Sequence, residues 1–160
     1  MSPFSFVPLA QQPIPGADVA SSSLPTQGEV PIPSSHSHLH LTGKHSGVPC
    51  PKCTTETQFA DAMGVSVLAC PACLGFLSQG KDFSRIVTVA RSHYRGQDTI
   101  RPLDHSQLRV ARTCPTCHQP FETHAYAGPG TTVLDSCQRC GTVWLDGGEL
   151  ERIIQAPGRR

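Results

Sequence analysis

Eight cysteines in four C-x2-C pairs constrain this chain more than any other feature. They are Cys50/Cys53, Cys70/Cys73, Cys114/Cys117 and Cys137/Cys140, giving C-x2-C-x16-C-x2-C followed by C-x2-C-x19-C-x2-C. Two cysteines three apart on a tight turn aim both sulfurs at one edge of a tetrahedron, and a second such turn completes a four-thiolate cage. Pro51, Pro71 and Pro115 each follow a first cysteine, where a fixed φ suits the turn. Gly141 follows the last cysteine, where a positive φ is often required. The spacing therefore predicts two Zn2+ per chain, one held by Cys50, Cys53, Cys70 and Cys73, the other by Cys114, Cys117, Cys137 and Cys140. Iron is the competing metal for an all-sulfur cage. Four protein ligands leave no open position, so both sites are expected to be structural. His118 sits beside a full cage and is expected to be a neighbour or exposed, not a ligand.

Disulfides are the alternative use of these thiols. The start of the chain lacks a basic region followed by an uninterrupted apolar run, and Pro3 and Pro8 break it. With no secretory signal, reduced metal-binding cysteines in the cytoplasm are the expectation. A thin core makes such staples necessary. Leu, Ile, Val and Phe make up 35 of 160 residues, while Gly and Pro contribute 29. No apolar run approaches the ~20 residues that span a bilayer, so no membrane helix is expected.

The two cysteine sets belong to an internal repeat. Placing Cys70 on Cys137 aligns the next 18 positions without a gap: Gly80 meets Gly147, Arg85 meets Arg152 and Ile86 meets Ile153. Leu77 falls on Trp144 and Phe83 on Leu150. Each copy reads as a C-x2-C turn, a β-rich run (65–68 or 131–134), a second turn, an extended piece and an amphipathic helix. The helices carry apolar residues at i, i+3 and i+4: Phe83, Ile86, Val87 and Leu150, Ile153, Ile154. The first is expected over about 82–92. The second is expected to start near Gly147, with Asp146 and Glu149 as a capping box, and to stop at Pro157-Gly158. The offset of 67 residues suits two tandem beads, each closing its own cage. An interleaved arrangement, with pairs one and three sharing a metal, conflicts with copies that repeat as units. Trp144 is expected to cover its knuckle and pack on Leu150 and Ile153.

The fold class predicted is thus small and metal-stabilised: two tandem zinc ribbons of short antiparallel strands, each followed by a short helix. The divisions are a Pro/Ser-rich disordered arm (1–47), a ribbon and helix (48–94), a basic linker (95–112), a second ribbon and helix (113–156) and a tail (157–160). The arm holds 7 Pro, 4 Gly and 9 Ser with three charged residues, too little apolar material to offset its ordering entropy. His36, His38 and His40 within it read as polar linker.

Charge limits the partners. The formal net charge is +1, and eight thiolates with two Zn2+ bring it to −3. Binding driven by net charge to nucleic acid is not supported. The one basic stretch, 81–112, carries Lys81, Arg85, Arg91, Arg95, Arg101, Arg109 and Arg112 against three acids. A solvated helix face and linker account for it, with nucleic-acid binding as the alternative. No H-E-x-x-H, phosphate-loop or nucleophile-elbow pattern occurs, so an enzyme and a small-molecule substrate are not expected. A protein-interaction or adaptor role is.

One stretch resembles a known family. C-Q-R-C-G-T-V-W-L-D-G-G-E-L at 137–150, preceded by C-P-T-C at 114–117, is similar to the transcription factor zinc-finger family, the ribbon named for transcription factor IIB. Residues 50–87 resemble a degenerate copy, with Leu74-Gly75-Phe76-Leu77 in place of the Gly-to-Trp stretch and Asp82-Phe83 in place of Glu-Leu. The resemblance implies zinc at all eight cysteines. It places any partner site built on Trp144-Leu145-Asp146 in the second copy only. The family's name implies an association with transcription.

Overall fold

Alternating side chains in the β-rich runs build one antiparallel sheet, not two. The computed structural model of the chain describes residues 38–158. In the first copy β1 (Leu39–Pro49), β2 (Glu56–Ala62), β3 (Val65–Ala69) and β4 (Phe76–Gln79) precede α1 (Gly80–His93). In the second, β5 (Glu122–Ala125), β6 (Val133–Cys137) and β7 (Thr142–Leu145) precede α2 (Glu149–Gln155). A 3-10 turn at Gln107–Arg109 interrupts the connection. The strand order is β1-β2-β3-β4-β7-β6-β5.

The tandem-bead expectation is corrected at the centre of this sheet. β4 pairs β7, with Phe76 opposite Leu145, Leu77 opposite Trp144, Ser78 opposite Val143 and Gln79 opposite Thr142. Under the 67-residue offset, the pair Phe76–Leu145 becomes Val143–Ser78, which is also observed. Leu77–Trp144 maps onto itself. The copies therefore meet as an isologous pair about a local pseudo-two-fold axis through Leu77 and Trp144. Among the described residues, both copies fall in one structural unit. Pairing edge to edge removes two unpaired strand edges, which separate beads would have left in water.

One face of the sheet carries both helices. Val65, Val67, Ala69, Phe76, Leu134 and Leu145 point to this face and pack with Phe83, Ile86 and Val87 of α1 and Leu150, Ile153 and Ile154 of α2. Phe83 meets Tyr126 edge to face at 5.5 Å. Buried Arg91 of α1 donates to the Ile153 and Ala156 carbonyls at the end of α2. A single core thus draws on both copies.

Three boundaries moved. The strand β1 lies mostly within the stretch assigned to the arm. Leu39 pairs with Ala62 and Pro49 with Glu56, and the register shifts twice between them, flanking Gly43 and Gly47 at φ 76° and 75°. Its Ser/Gly/His-rich composition concealed a strand that pairing, not core burial, holds in place. The arm assignment for 1–37, including His36, lies outside the described residues. The second β-run starts two residues late, at Val133, because Thr131 donates instead to the Arg101 carbonyl and Thr132 accepts from Tyr126 N–H. Helix α2 starts at Glu149 rather than near Gly147. A Cβ on Gly147 would stand 2.3 Å from the Cys73 carbonyl oxygen, and Gly148 is at φ 89°. Half of the capping box forms: Asp146 N–H donates to Glu149 Oε2 at 2.7 Å, while the Asp146 side chain is engaged elsewhere.

Candidate metal centre

Each C-x2-C turn is closed by the same backbone bonds. Thr54 N–H donates to Cys50 O, Leu74 to Cys70 O, His118 to Cys114 O and Gly141 to Cys137 O, all at 2.8–3.0 Å. The donor in each case is left-handed: Thr54 φ 62°, Leu74 58°, His118 59° and Gly141 64°. Gly141 meets this requirement without strain, whereas the three other residues carry a Cβ in a region costing roughly 1–2 kcal/mol. This is the function of His118, which is exposed and ligates nothing.

The knuckles converge in pairs within each copy, and the interleaved arrangement does not occur. Sγ atoms of Cys50, Cys53, Cys70 and Cys73 all lie within 4.8 Å of one another, and so do those of Cys114, Cys117, Cys137 and Cys140. Across the knuckles, Cys50–Cys73 is 3.6 Å, Cys53–Cys70 3.4 Å, Cys117–Cys137 3.5 Å and Cys114–Cys140 4.0 Å. A tetrahedron with Zn–S of about 2.3 Å has S···S edges of about 3.8 Å. These are metal-cage distances, and all eight cysteines are free of disulfides. Lys52 N–H lies 3.4 Å from Cys50 Sγ and Cys140 N–H 3.4 Å from Cys137 Sγ, donors suited to a thiolate. The Thr55 hydroxyl and N–H bring Cys53 down to about 6. Burial raises the Cys114 thiol, but the Cys117 and Thr116 N–H groups outweigh it and bring it to about 7. Each cage thus contains one acidic thiol, and Zn2+ would supply the charge that ionises its neighbours. The residues fit two structural Zn2+, one per ribbon. His38 and His40 join no metal-ligating group among the described residues.

Between the cages lies Trp144, 1% exposed, in a cluster with Cys50, Cys70, Leu77, Cys114, Phe121 and Cys137. The expected contact of Trp144 with Leu150 and Ile153 belongs instead to Leu145, its neighbour on the helix face. Trp144 shares this cluster with cysteines of both cages because the β4–β7 pairing puts it on the pseudo-two-fold axis. A Cβ on Gly75 would meet its ring at 2.4 Å.

Asp146 ties the arrangement together. Its carboxylate accepts from Trp144 Nε1 at 3.0 Å and pairs with Arg112 at 2.9 Å and with Lys52, on the first copy's knuckle, at 3.2 Å. Arg112 also pairs with buried Asp135, which accepts from the Thr123 hydroxyl at 2.5 Å. Burial alone would raise the Asp146 carboxyl. The Trp144 N–H, Arg112 and Lys52 outweigh it and hold it below its ordinary value. Glu149, buried nearby, is pushed up to about 7, chiefly by desolvation. Lys52 and Asp135 were not visible as functional residues in the sequence, since nothing local links a knuckle lysine to an aspartate 94 positions away, and Arg112 was visible only as one cation of the basic stretch.

This geometry gives each residue of the C-x2-C-G-T-V-W-L-D-G-G-E-L stretch a task, and residues 113–156 match the family described as transcription factor zinc-finger. The second module is thus similar to a TFIIB-type zinc ribbon, and its four-cysteine group fits that match. The four-cysteine group at 50–73 is consistent with a tandem copy of it. No curated protein and no solved structure matches the chain. The Trp-Leu-Asp stretch, the one place in the second copy where a partner site of the family's kind could be built, is turned inward: Trp144 and Leu145 are buried, and Asp146 holds the first ribbon. Among the described residues, no helix is long and apolar enough to cross a membrane.

Proposed function

We propose that the chain is a non-catalytic, zinc-stapled scaffold whose open sheet face binds a protein partner, in a reducing compartment such as the cytoplasm. One observation carries this reading. The helices cover one face of the sheet, and the cages cover Leu77 and Trp144 on the other. The β2–β3 half of that second face stays open. There a cavity of about 530 Å³ is lined by Phe59, Ser66, Leu68, Leu77, Gln79 and Thr116. Phe59 is 37% exposed, with Lys44 5.4 Å from its ring centroid. An apolar floor with a polar rim is the composition of a protein-docking surface. Four thiolates per metal leave no coordination position for catalysis.

The nucleic-acid reading loses part of its support. Of the seven cations in 81–112, Arg91 is buried against carbonyls and Arg112 is committed to Asp135 and Asp146. The test compares the zinc-loaded chain with Phe59→Ser/Leu68→Ser as affinity bait, with zinc content and melting as fold controls. The proposal expects a protein retained by the first and lost by the second. Binding of DNA or RNA with a steep salt dependence, unchanged in the double variant, would replace it with the alternative.

A further inference from the structure

A second cavity, of about 280 Å³, lies at the far end of α2 and uses none of the residues of the metal cages or of the proposed docking face. Three parts of the chain meet there: the linker at 99–101, the loop at 128–131 and the last turn of α2. The linker is fastened in place. Thr99 N–H donates to Gln155 O at 2.8 Å, and the Thr131 hydroxyl donates to the Arg101 carbonyl. Arg101 is thereby held at the rim by backbone bonds that do not use its side chain.

Two arginines line this cavity, Arg101 and Arg152. Arg101 donates to a neutral acceptor, Gln155 Oε1, at 3.3 Å. The positive charge of Arg152 is near enough to Asp104 to help hold that carboxyl below its ordinary value. A helix C-terminus ordinarily repels anions through its bare carbonyls. Here those carbonyls are occupied: Ile153 O and Ala156 O accept from the buried guanidinium of Arg91, and Gln155 O from Thr99. The negative end of α2 is thus masked by a third cation.

The remaining walls are apolar or bare. Ala156 and Pro157 form one side, and Ile100 stands at the rim 84% exposed. Gly130 lies at φ 94° with Ile153 Cα only 3.0 Å from where a Cβ would be. The loop can approach α2 because this position lacks a side chain.

We propose that this cavity binds a small organic anion, its carboxylate or phosphate head between Arg101 and Arg152 and a short apolar body against Ile100, Ala156 and Pro157. Guanidiniums suit both head groups, since their planar forks donate paired hydrogen bonds to carboxylate and phosphate oxygens alike. The volume is near the lower end of ligand pockets, roughly 300–1,000 Å³, which limits the body to a few carbons or one ring. The site belongs to the second copy, whose loop between knuckles is longer by three residues.

The test is titration of the zinc-loaded full chain with inorganic phosphate, phenyl phosphate and N-acetyl-leucine, followed by calorimetry and amide shifts. Saturable one-to-one binding of phenyl phosphate or N-acetyl-leucine is expected, with shifts centred on Arg101, Thr131 and Arg152. The better of the two identifies the head group. Arg152→Gln and Arg101→Gln should each weaken it about tenfold or more. Arg85→Gln, at the repeat-equivalent position on α1, should leave it unchanged. Arg101 is exposed, so its variant keeps the test valid should Arg152→Gln fold poorly. No saturation by about 10 mM for any probe, or equal weakening by Arg85→Gln, would overturn the site. Inorganic phosphate binding as tightly as both organic anions would overturn the apolar wall.

Discussion

Across the open face of the sheet, the first ribbon presents Phe59, Leu68 and Leu77, and the second presents Thr123, Asp135 and Trp144 at the equivalent positions. One backbone plan has been closed in one copy and left open in the other. In the second ribbon Arg112 caps Asp135 and Asp146, and the segment before the first cysteine folds over the sheet. In the first, the corresponding segment is β1, which extends the sheet sideways and leaves Phe59 exposed and Leu68 only partly covered. The cages are similarly unequal: Cys53 is exposed, whereas every ligand of the second cage is at least half-buried. Identical ligand spacing therefore fixes the metal but not the surface around it.

The sharpest way to break this comparison is to remove one cage. Structural zinc supplies about 10–16 kcal/mol in small ribbons, comparable with the whole stability of a domain, about 5–15 kcal/mol. Independent beads would confine the damage of Cys137→Ser to 113–156. With a shared sheet and core, the variant should lose one zinc and also lose amide-exchange protection in β4 and α1. Full protection there would restore the bead description.

Next in size is the contact between copies. Gly147→Ala would push a methyl into the Cys73 carbonyl, a backbone group that cannot step aside. Destabilisation of about 2–3 kcal/mol is expected, measured by denaturant titration with zinc present. A shift under about 0.5 kcal/mol would mean the ribbons separate readily at this seam.

Glu149 gives the seam a pH dependence. Its folded value, about 7, lies above the ordinary 4.5. The native state therefore holds the proton where the unfolded chain has released it. The associated stability is fully present below about pH 4.5 and is lost as pH rises to about 7. The loss is about 2–3 kcal/mol from a shift of this order. Because thiolate–zinc bonds weaken in acid and oppose this trend, the informative quantity is the difference between the chain and Glu149→Gln at pH 5.5 and 7.5. The variant should gain relative stability at the higher pH. A constant difference would show that Glu149 ionises normally.

The smallest effect separates the knuckles themselves. Thr54→Gly should stabilise the first ribbon by about 1 kcal/mol, because a β-branched residue leaves the left-handed region, and Gly141→Thr should cost a similar amount. Melting curves of both variants at saturating zinc would show opposite signs. Equal signs would mean that the two cages tolerate their left-handed residues differently.

The sequence by itself determined the two cages, their membership and their closure within each copy, because ligand spacing and turn chemistry act over a few residues. It also determined the helix faces, since Phe83, Ile86 and Val87 repeat at helical spacing whatever they pack against. The tertiary structure decided how the copies meet. An apolar residue such as Leu77 or Trp144 at the second face of a strand is compatible with a covering knuckle, a partner or a neighbouring strand, and no local rule selects among them. Joining β4 to β7 chose the partner. That choice placed Trp144 in one cluster with both cages and brought Lys52 to Asp146, while pairing with β2 gave a strand to residues whose composition reads as linker. Pairing and burial between distant segments decide such matters, and the energies that settle them come from contacts absent until the whole sheet has formed.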